Sequence, residues 1–397
     1  MMATKDLGLS RRNIVKAATI VPFSAVVGSA ANSAVTVGLI GSGGRGSGLA
    51  RFAEQDKRGR VVALSDLLDE KIELAKKKID VTNPKIYKDY RELLASDVDA
   101  VIIATPHHLH PEHFEAAIKA KKHIYLEKPV ANTVAGCKRI MRAADSADRN
   151  LNLTIGLQRR YGYVYKKAKA LFDSGSIGEI RMARADFIKG EEPEKEQVLP
   201  RPTTDRERYL TRRWGHWEAM NGHAITGNEV HSMDVVNWFL ESLPIKAIGT
   251  GGRTVRTQGD LTDHAYVIYD YPKEVQAVLT GSVLAPRYYR DVKEQFFTAT
   301  DMVETSQGHP GRQYWKHHSN TESDTTKPTS RKGHVAYEDS PTTVTQDAIE
   351  SFVARVADGK PENTGIQGAE STLTAILGSM AATLRREVSW DEMMESE

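Results

Sequence analysis

Short apolar runs alternate with helical patterns through the first part of the 397-residue chain. Residues 35–40 form one apolar run, and apolar residues then recur at helical spacing over 49–53. Further apolar runs, separated by helical patterns, occupy residues 60–64, 99–104, 123–126 and 151–155. Strands that alternate with helices form a parallel sheet covered by helices on both faces. The pattern therefore predicts an N-terminal, doubly wound α/β domain of the Rossmann type over residues 35–157.

The pattern changes in the second part of the chain, residues 158–397. A helix is predicted over 161–172, where Gly175 ends it. Alternating or β-branched segments then predict strands without regular helices between them, at 180–188, 245–249, 265–271, 276–283 and 295–299. Such strands form an open, mostly antiparallel sheet, so this part is predicted to be an α+β domain. Residues 301–345 are polar and are predicted to be loops, and helices are predicted over 345–358 and 368–385.

A glycine-rich turn joins the first strand to the first helix, and it reads GSGGRG at 41–46. In this pattern Gly41 permits a sharp turn, Gly43 lets backbone N–H groups approach a pyrophosphate, and Gly46 lets helix and strand pack closely. Asp66 follows the second strand, about 20 residues later, where a carboxylate binds an adenosine ribose. The turn therefore predicts a nicotinamide dinucleotide site. The alternative is a glycine turn in another kind of α/β protein, with Asp66 as an ordinary strand-end residue.

The cofactor is predicted to be NAD rather than NADP. An acidic Asp66 with no adjacent arginine favours an unphosphorylated ribose. A cation from another loop could reverse that preference.

Composition excludes several classes of partner. The chain has 54 Lys and Arg against 52 Asp and Glu, so nothing indicates a nucleic acid or an anionic membrane surface. Its single cysteine, Cys137, excludes an intrachain disulfide and a cysteine-based zinc site, and it is predicted to be buried in a helix. No metal is predicted, because no carboxylate or cysteine completes a ligand set with the histidines at 107, 108, 110 and 113.

Residues 1–34 are predicted to be a targeting segment. The stretch SRRNIVK at 10–16 matches a twin-arginine signal, and the apolar stretch after it is too short to span a membrane. We therefore expect export to the periplasm or beyond, no stable membrane anchor, and a tightly held cofactor, because this route carries folded proteins. A basic leader on a cytoplasmic enzyme is the alternative.

Several segments resemble the glucose–fructose oxidoreductase and inositol dehydrogenase family (Gfo/Idh/MocA). They are GSGGRG at 41–46, DAVIIATPHHLH at 99–110, KKHIYLEKP at 121–129, GLQRRY at 156–161, HSMDVVNW at 231–238 and the C-terminal segment 368–393. The E-K-P tripeptide after a strand is the most specific of them. The resemblance implies an NAD(P)-dependent oxidoreductase. It also implies that the open sheet carries the substrate on one face and often oligomer contacts on the other, so we expect a homodimer or homotetramer.

The resemblance also implies roles for residues that follow strands. Lys128, fixed at a strand end by Pro129, would orient the substrate and assist proton transfer, and Glu127 would contact the nicotinamide ribose. His231 would be the acid–base partner of Lys128. The alternatives are that His231 is a buried structural histidine and that Lys128 is an exposed surface lysine.

Loops at the carboxyl ends of parallel strands face the ligand crevice. The predicted cofactor-binding residues are Gly41, Ser42, Gly43, Gly44, Arg45, Gly46, Asp66, Thr105, Pro106, His110, Glu127, Lys128 and Gln158.

Substrate contacts are predicted from later in the chain. A long polar connection over 189–221 ends in an aromatic and cationic cluster that suits stacking on a sugar and binding its hydroxyls. We predict Arg213, Trp214 and Trp217 from this cluster as substrate-binding residues, with loop packing as the alternative. Arg160 is predicted either at the substrate or in an ion pair between the domains.

One position departs from the family pattern. Dehydrogenases of the family typically carry aspartate four residues before the histidine, whereas this chain has Gly227 there. Glu229 is therefore predicted as a substitute that contacts the substrate. Asp234 is expected to orient its helix or to bond His231.

These observations predict an oxidoreductase that transfers a hydride at a ring hydroxyl carbon of a sugar, polyol or glycoside. The first alternative is an NAD-dependent glycosidase. In that reaction, transient oxidation at one ring carbon acidifies its neighbour, elimination removes the leaving group, and water addition followed by reduction completes the cycle. Export and the missing aspartate both favour this alternative. The second alternative is a nucleotide-bound sugar sensor without catalysis.

Overall fold

The computed structural model describes residues 34–190, 214–257, 259–286, 288–308, 312–319 and 334–396. The predicted twin-arginine segment and Arg213 lie outside these residues, so both stay predictions. Within these ranges, no helix has both the length and the apolar composition that a membrane crossing requires.

Six parallel strands form the sheet of the first domain. They are β1 (Val35–Ile40), β2 (Gly59–Ser65), β3 (Lys85–Tyr87), β4 (Ala100–Ile103), β5 (His123–Leu126) and β6 (Leu153–Ile155). The helices between them are α1 (Gly44–Gln55), α2 (Asp69–Ile79), α3 (Tyr90–Leu94), α4 (His110–Lys119) and α5 (Val134–Asp145). The strand order is β3-β2-β1-β4-β5-β6. The chain builds the sheet outwards from β1 to β3 and then continues on the other side of β1 with β4, β5 and β6. The predicted doubly wound sheet is confirmed, and its ligand crevice lies at the carboxyl ends of β1 and β4.

Burial explains why these segments form central strands. Every residue of β4 is buried, as expected for a β-branched strand covered on both faces. Helix α1 buries Leu49, Ala50 and Ala53 on one face, whereas Arg51 and Gln55 are exposed. Cys137 lies fully buried in α5, which confirms its predicted structural position.

Nine strands of the described residues form the second sheet. They are β7 (Met182–Lys189), β8 (Lys246–Gly252), β9 (His264–Asp270), β10 (Gln276–Ser282), β11 (Arg290–Phe297), β12 (Asp301–Gln307), β13 (Arg312–Ser319), β14 (His334–Thr343) and β15 (Val388–Ser389). Their order is β14-β13-β12-β11-β7-β10-β9-β8-β15. Strands β7 and β10 pair in parallel and the other neighbouring strands pair antiparallel, so the predicted open, mostly antiparallel sheet is confirmed.

The second part of the chain also contains helices α6 (Tyr163–Asp173), α7 (Glu218–Asn221), α8 (Val230–Leu240), α9 (Val344–Ala357), α10 (Gly365–Leu384) and α11 (Trp390–Glu395). Of these, α6, α8 and α10 pack against the second sheet. A single π-helical turn, Ile225–Glu229, leads directly into α8. Such wide turns occur mostly as local features at functional sites.

The polar segment 301–345 was predicted as loops, but it contributes the three strands β12, β13 and β14. Polar side chains bond one another there: the partly exposed His317 donates through Nε2 to the buried Asp301 at 2.8 Å, and the buried Thr305 donates through Oγ1 to Glu294 at 3.0 Å. Polar groups with such partners can occupy the interior of a protein. The prediction was wrong because it relied on aliphatic residues, which are scarce in this segment.

Helix α10 joins the two sheets. Gly368 faces Ile155 of β6, where an added Cβ would lie 2.6 Å from the nearest side-chain atom. Gly378 faces Tyr269 of β9 even more closely, so neither position has room for a side chain. Helix α9 packs on the first sheet through Ala348, Ile349, Phe352 and Val353. Helix α10 therefore lies in a core that is continuous between the two sheets, whereas α9 adds to the core of the first domain.

Candidate active site

The glycine turn has the geometry that a pyrophosphate site requires. Gly41 has φ of 92°, which favours glycine, and an added methyl group at Gly46 would overlap the Gly41 carbonyl oxygen. An added Cβ at Gly43 or Gly44 would instead meet no atom within 4 Å, so their backbone is open to a ligand. Helix α1 begins here without a side-chain cap or an acidic residue in its first turn. Its free N–H groups and positive dipole end suit the phosphates of a dinucleotide.

Asp66 holds the loops at the end of β2. Its Oδ2 accepts from the N–H of Ser42 and its Oδ1 accepts from the N–H of Leu68, each at 2.9 Å. Burial raises the pKa of this carboxyl, against the effect of these two hydrogen bonds. Asp66 therefore lies in the crevice as predicted, and it also fixes the glycine turn to the next loop.

Two cavities meet at the carboxyl ends of the strands. The dinucleotide cavity, about 260 Å³, extends from Gly41 and Gly43 past Asp66. The catalytic cavity, about 410 Å³, is lined by Lys128 and His231 among others. Both cavities share the lining residues Ala104, Thr105 and Trp214. They therefore form one cleft that could hold an extended dinucleotide with its reacting end at the catalytic cavity.

Lys128 follows β5 and lines the catalytic cavity. Its Nζ donates a hydrogen bond to the backbone oxygen of Gly227 at 2.7 Å. Burial lowers the pKa of Lys128 to about 8, although the charge of Glu127 opposes this shift. Near neutral pH the amine is therefore mostly charged, but it loses its proton within the working range of many enzymes.

His231 reaches the same cavity from the first turn of α8. The residue is 8% exposed, and its Nδ1 has no hydrogen-bond partner within the described residues. Burial, followed by the charge of Lys128, holds the pKa of His231 well below its usual value. The structure thus brings Lys128 and His231, from two domains, into one cavity with the imidazole neutral.

Arg45 connects the glycine turn to the catalytic cavity. Its guanidinium donates to Glu127 Oε1 at 2.6 Å and to Gln158 Oε1 at 2.8 Å. Thr345 Oγ1 donates to the same Gln158 oxygen at 2.7 Å. Glu127 and Gln158 therefore lie in the cavity as predicted, with one oxygen of each already bonded to Arg45.

His110 lies between two backbone carbonyls. It is fully buried, and its ring nitrogens lie 2.7 Å from the Pro129 oxygen and 2.9 Å from the Thr105 oxygen. His110 lines the catalytic cavity, but both of its nitrogens already face backbone carbonyls, so its predicted cofactor contact stays a prediction. Thr105 and Pro106 do line the dinucleotide cavity. In the ranges that the structure describes, no three His, Cys, Asp or Glu side chains are grouped to hold a metal ion.

Arg160 belongs to an ion pair rather than to the cavity. Its Nη2 lies 2.8 Å from Asp234 Oδ1, and Ser371 Oγ donates to the same oxygen at 2.7 Å. The structure therefore contains the predicted ion pair of Arg160, and Arg160 lines neither the dinucleotide cavity nor the catalytic cavity. Asp234 bonds Arg160 and Ser371, which fits the alternative that it orients its helix, and it makes no hydrogen bond to His231 within the described residues.

The predicted aromatic cluster divides between the cleft and the surface. Trp214 lines both cavities and packs edge-on against His107, with ring centroids 4.7 Å apart. Trp217 instead starts helix α7 and lines neither of the two cavities. Of the two members of this cluster that the structure describes, Trp214 is the one placed to contact a ligand.

Glu229 lies beneath the cavity instead of in it. Its carboxylate is 3% exposed and so close to Gly281 that an added Cβ there would lie 2.7 Å from Oε1. Burial raises the pKa of Glu229 to about 7. Glu229 does not line the catalytic cavity, so its predicted substrate contact is not supported.

Other cavity residues were not predicted, among them His107, Lys189, Asn221, Arg290 and Gln307. His107 follows β4 in a loop that was already expected to face the crevice. This position in the sequence could have identified His107 as a cavity residue. Arg290 begins β11 and Gln307 ends β12, and the guanidinium donates to the Gln307 backbone oxygen at 3.0 Å. The sequence could not predict that Arg290 and Gln307 are neighbours, because the segment that forms β12 was predicted to be a loop.

Gly43→Ala should weaken NAD binding about tenfold, the equivalent of about 1.4 kcal/mol, without lowering the melting temperature. The added methyl group meets no protein atom but occupies the space above the turn. Gly48→Ala in the same helix is the matched control, because its Cβ would lie 3.4 Å from the flexible end of Lys78. Calorimetric titration with NAD and thermal unfolding test this. Equal NAD affinity in both variants would contradict the assigned phosphate site.

Sequence comparisons agree with this geometry. Residues 35–154 match the profile described as "Oxidoreductase family, NAD-binding Rossmann fold", and residues 165–300 match the GFO/IDH/MocA C-terminal domain. Inositol 2-dehydrogenase of Acidothermus cellulolyticus is 30% identical over 243 residues, 60% of this chain and 63% of that protein. The Klebsiella pneumoniae enzyme of that name is 32% identical over 206 residues, 51% of this chain and 54% of that protein. The matches thus span little more than half the length of these relatives.

Solved structures with this fold include myo-inositol 2-dehydrogenase from Lactobacillus plantarum, with a TM-score of 0.69, 20% identity, and coverage of 90% of this chain and 99% of that one. Levoglucosan dehydrogenase in complex with NADH and levoglucosan gives a TM-score of 0.72 at 16% identity, with coverage of 90% and 99%. At these identities the likeness concerns the fold. Taken with the two profile matches, it shows that the chain belongs to the Gfo/Idh/MocA oxidoreductase family.

Proposed function

We propose that this chain is an NAD-dependent oxidoreductase that transfers a hydride at a hydroxyl-bearing carbon of a sugar or polyol. The observation that carries the proposal is the presence of Lys128 and His231 in one cavity, continuous with the glycine-turn cavity. Inositol 2-dehydrogenases among the relatives support the substrate class. When bound, NAD supplies the hydride acceptor.

The two side chains divide the handling of the proton. The Lys128 ammonium, held by the Gly227 carbonyl, donates to the substrate oxygen and stabilises the charge that develops there. The neutral imidazole of His231 accepts the hydroxyl proton, because its low pKa leaves it unprotonated at neutral pH. Trp214 offers an aromatic face to the ring of the sugar.

Lys128→Met should reduce NAD-dependent oxidation by roughly 10²- to 10⁴-fold, because the ammonium that holds the substrate oxygen is lost. NAD affinity should remain unchanged. Lys119→Met, at the exposed end of α4, is the matched control and should keep full activity. Steady-state rates and NAD titrations of the three proteins test this. A Lys128→Met variant with the wild-type rate would remove the assigned role.

The pH dependence should follow the charge of Lys128. Its ammonium is present below a pKa of about 8 and is lost as the pH rises through that value. We expect kcat/KM for oxidation to fall above about pH 8, with no corresponding fall near pH 6.5 from His231. A rate that instead rises through pH 8 would identify the neutral amine as the base and contradict this assignment.

Redox-neutral glycoside cleavage is the second candidate function. Gly227 favours it, because the chain lacks the carboxylate typical of family dehydrogenases and Lys128 bonds a backbone carbonyl instead. The purified protein is first assayed for bound nucleotide. It is then supplied with free sugars and with nitrophenyl glycosides, which separate the candidate functions. We expect net NAD reduction with free sugars. Phenol release without net reduction would favour the glycosidase, and sugar binding without either product would favour the sensor.

The outward face of the second sheet supports self-association. Ile248 and Ile268 are direct cross-strand partners, as are Ile268 and Val278, and these side chains are 36–50% exposed. Such apolar rows mark interaction surfaces. We expect a homodimer or homotetramer, and Ile268→Glu should shift it towards monomer in sedimentation experiments. Val255→Glu, on an exposed loop, is the control, and a monomeric wild type would contradict the assembly.

A further inference from the structure

A third cavity opens beside the catalytic cavity. It measures about 580 Å³ and lies between the outer face of α1 and the ends of strands β11, β12 and β14. It shares the lining residues Arg45, Gln158, Arg290 and Gln307 with the catalytic cavity. A ligand that occupies the catalytic cavity could therefore extend directly into this outer cavity.

The outer cavity is lined by cations that lack acidic partners. Within the described part of the chain, no carboxylate oxygen lies within 4 Å of the side-chain nitrogens of Arg51, Lys78 or Arg290, whereas Arg45 is paired with Glu127. Lys78 Nζ donates to the backbone oxygen of Gly44 at 2.6 Å, which carries no compensating charge. The outer cavity thus has three more positive charges than negative ones.

The pKa shifts agree with a concentration of positive charge. Burial lowers the pKa of Lys78, and the nearby charges of Arg51 and Arg45 lower it further. Burial and the charge of Arg159 lower the pKa of Arg290. A negatively charged group in the cavity would relieve this repulsion.

These cations lie outside the dinucleotide cavity, although Gly44 lines both that cavity and the outer one. The dinucleotide cavity runs along the start of α1 and Asp66, and its lining includes none of Arg51, Lys78 and Arg290. Arg51 lies on the outward side of α1, away from the face that packs on the sheet. Arg290 comes from the second domain and, of the three cavities in the cleft, lines the catalytic and outer ones but not the dinucleotide cavity.

We infer that the outer cavity is a subsite for an anionic group, a sulfate or a carboxylate, on a saccharide whose reacting ring occupies the catalytic cavity. Guanidinium groups bind such planar or tetrahedral oxyanions through paired hydrogen bonds, and Arg290 can do so at the junction of the two cavities. This inference rests on the proposed oxidoreductase function for the position of the reacting ring. The charge argument itself does not depend on catalysis.

Inorganic sulfate is the probe for the first experiment, with NAD-loaded protein so that the glycine turn is already filled. Calorimetric titration at constant ionic strength, against chloride, should detect sulfate binding. Arg51→Gln and Lys78→Gln should each weaken it roughly 2- to 5-fold, the range expected for single exposed charges. Arg290→Gln, partly buried, should weaken it roughly 10-fold. Lys77→Gln, the exposed neighbour on α2 outside the cavity, should have no effect.

Two results of this titration would overturn the inference. One is a sulfate affinity that is the same in wild type and in the three cavity variants. The other is a loss of NAD affinity that parallels the loss of sulfate affinity, because the cations would then serve the phosphates of the cofactor. Both results can be obtained whether or not the protein oxidises a sugar.

Substrate assays give the second test. Neutral saccharides are compared with their sulfated and uronic-acid counterparts, and the more effective anion identifies the source of the charge. We expect a lower KM for the anionic forms, an advantage that declines with added salt and is reduced in Lys78→Gln but not in Lys77→Gln. Equal KM values for neutral and anionic forms would contradict the inference. Sulfate binding that depends on the cavity cations, without oxidation of any saccharide, would instead contradict only the proposed function.

Discussion

The position of His231 depends on two consecutive arginines that tie helix α8 to the end of the first sheet. Arg159 is fully buried, pairs with a buried glutamate of β11, and donates to Ser232 at 3.0 Å. Arg160 pairs with Asp234 on the same helix. Both anchors lie within one turn of His231, so they fix the imidazole against the strand ends that carry the lysine. Removing one partner of such a buried pair costs about 3–5 kcal/mol, because the other charge stays buried.

The same burial that organises this junction sets the chemistry of the cavity. It lowers the pKa of Lys128 to about 8 and holds that of His231 well below its usual value. A carboxylate beside the amine would raise its pKa, whereas Gly227 offers only a neutral carbonyl. The departure from the family pattern therefore makes the amine a weaker base, and its charge becomes sensitive to conditions close to neutrality.

The first domain could be predicted from the sequence because its strands are continuous apolar runs and its glycine turn is followed, at the expected distance, by an acidic strand end. Strands β12–β14 could not, because they contain few aliphatic residues and buried positions such as Asp301 and Thr305 hold hydrogen-bonded polar side chains. In the site, Lys128 and His231 were predicted to meet and do line one cavity. Arg290 was not predicted as a site residue, because its neighbour Gln307 belongs to β12, a strand that the sequence did not predict. For Arg160, only the geometry could decide between ion pair and ligand contact.

The glycine contacts of α10 limit how the two halves of this protein can move. The helix is wedged between β6 of one sheet and β9 of the other, and it touches both where no side chain fits. A hinge rotation of one half against the other would peel the helix away from a sheet and expose apolar surface, at about 25 cal/mol per Å². The packing of α10 therefore opposes any opening of the cleft by rotation of the two halves, and it favours one fixed arrangement of the strand ends that carry the site.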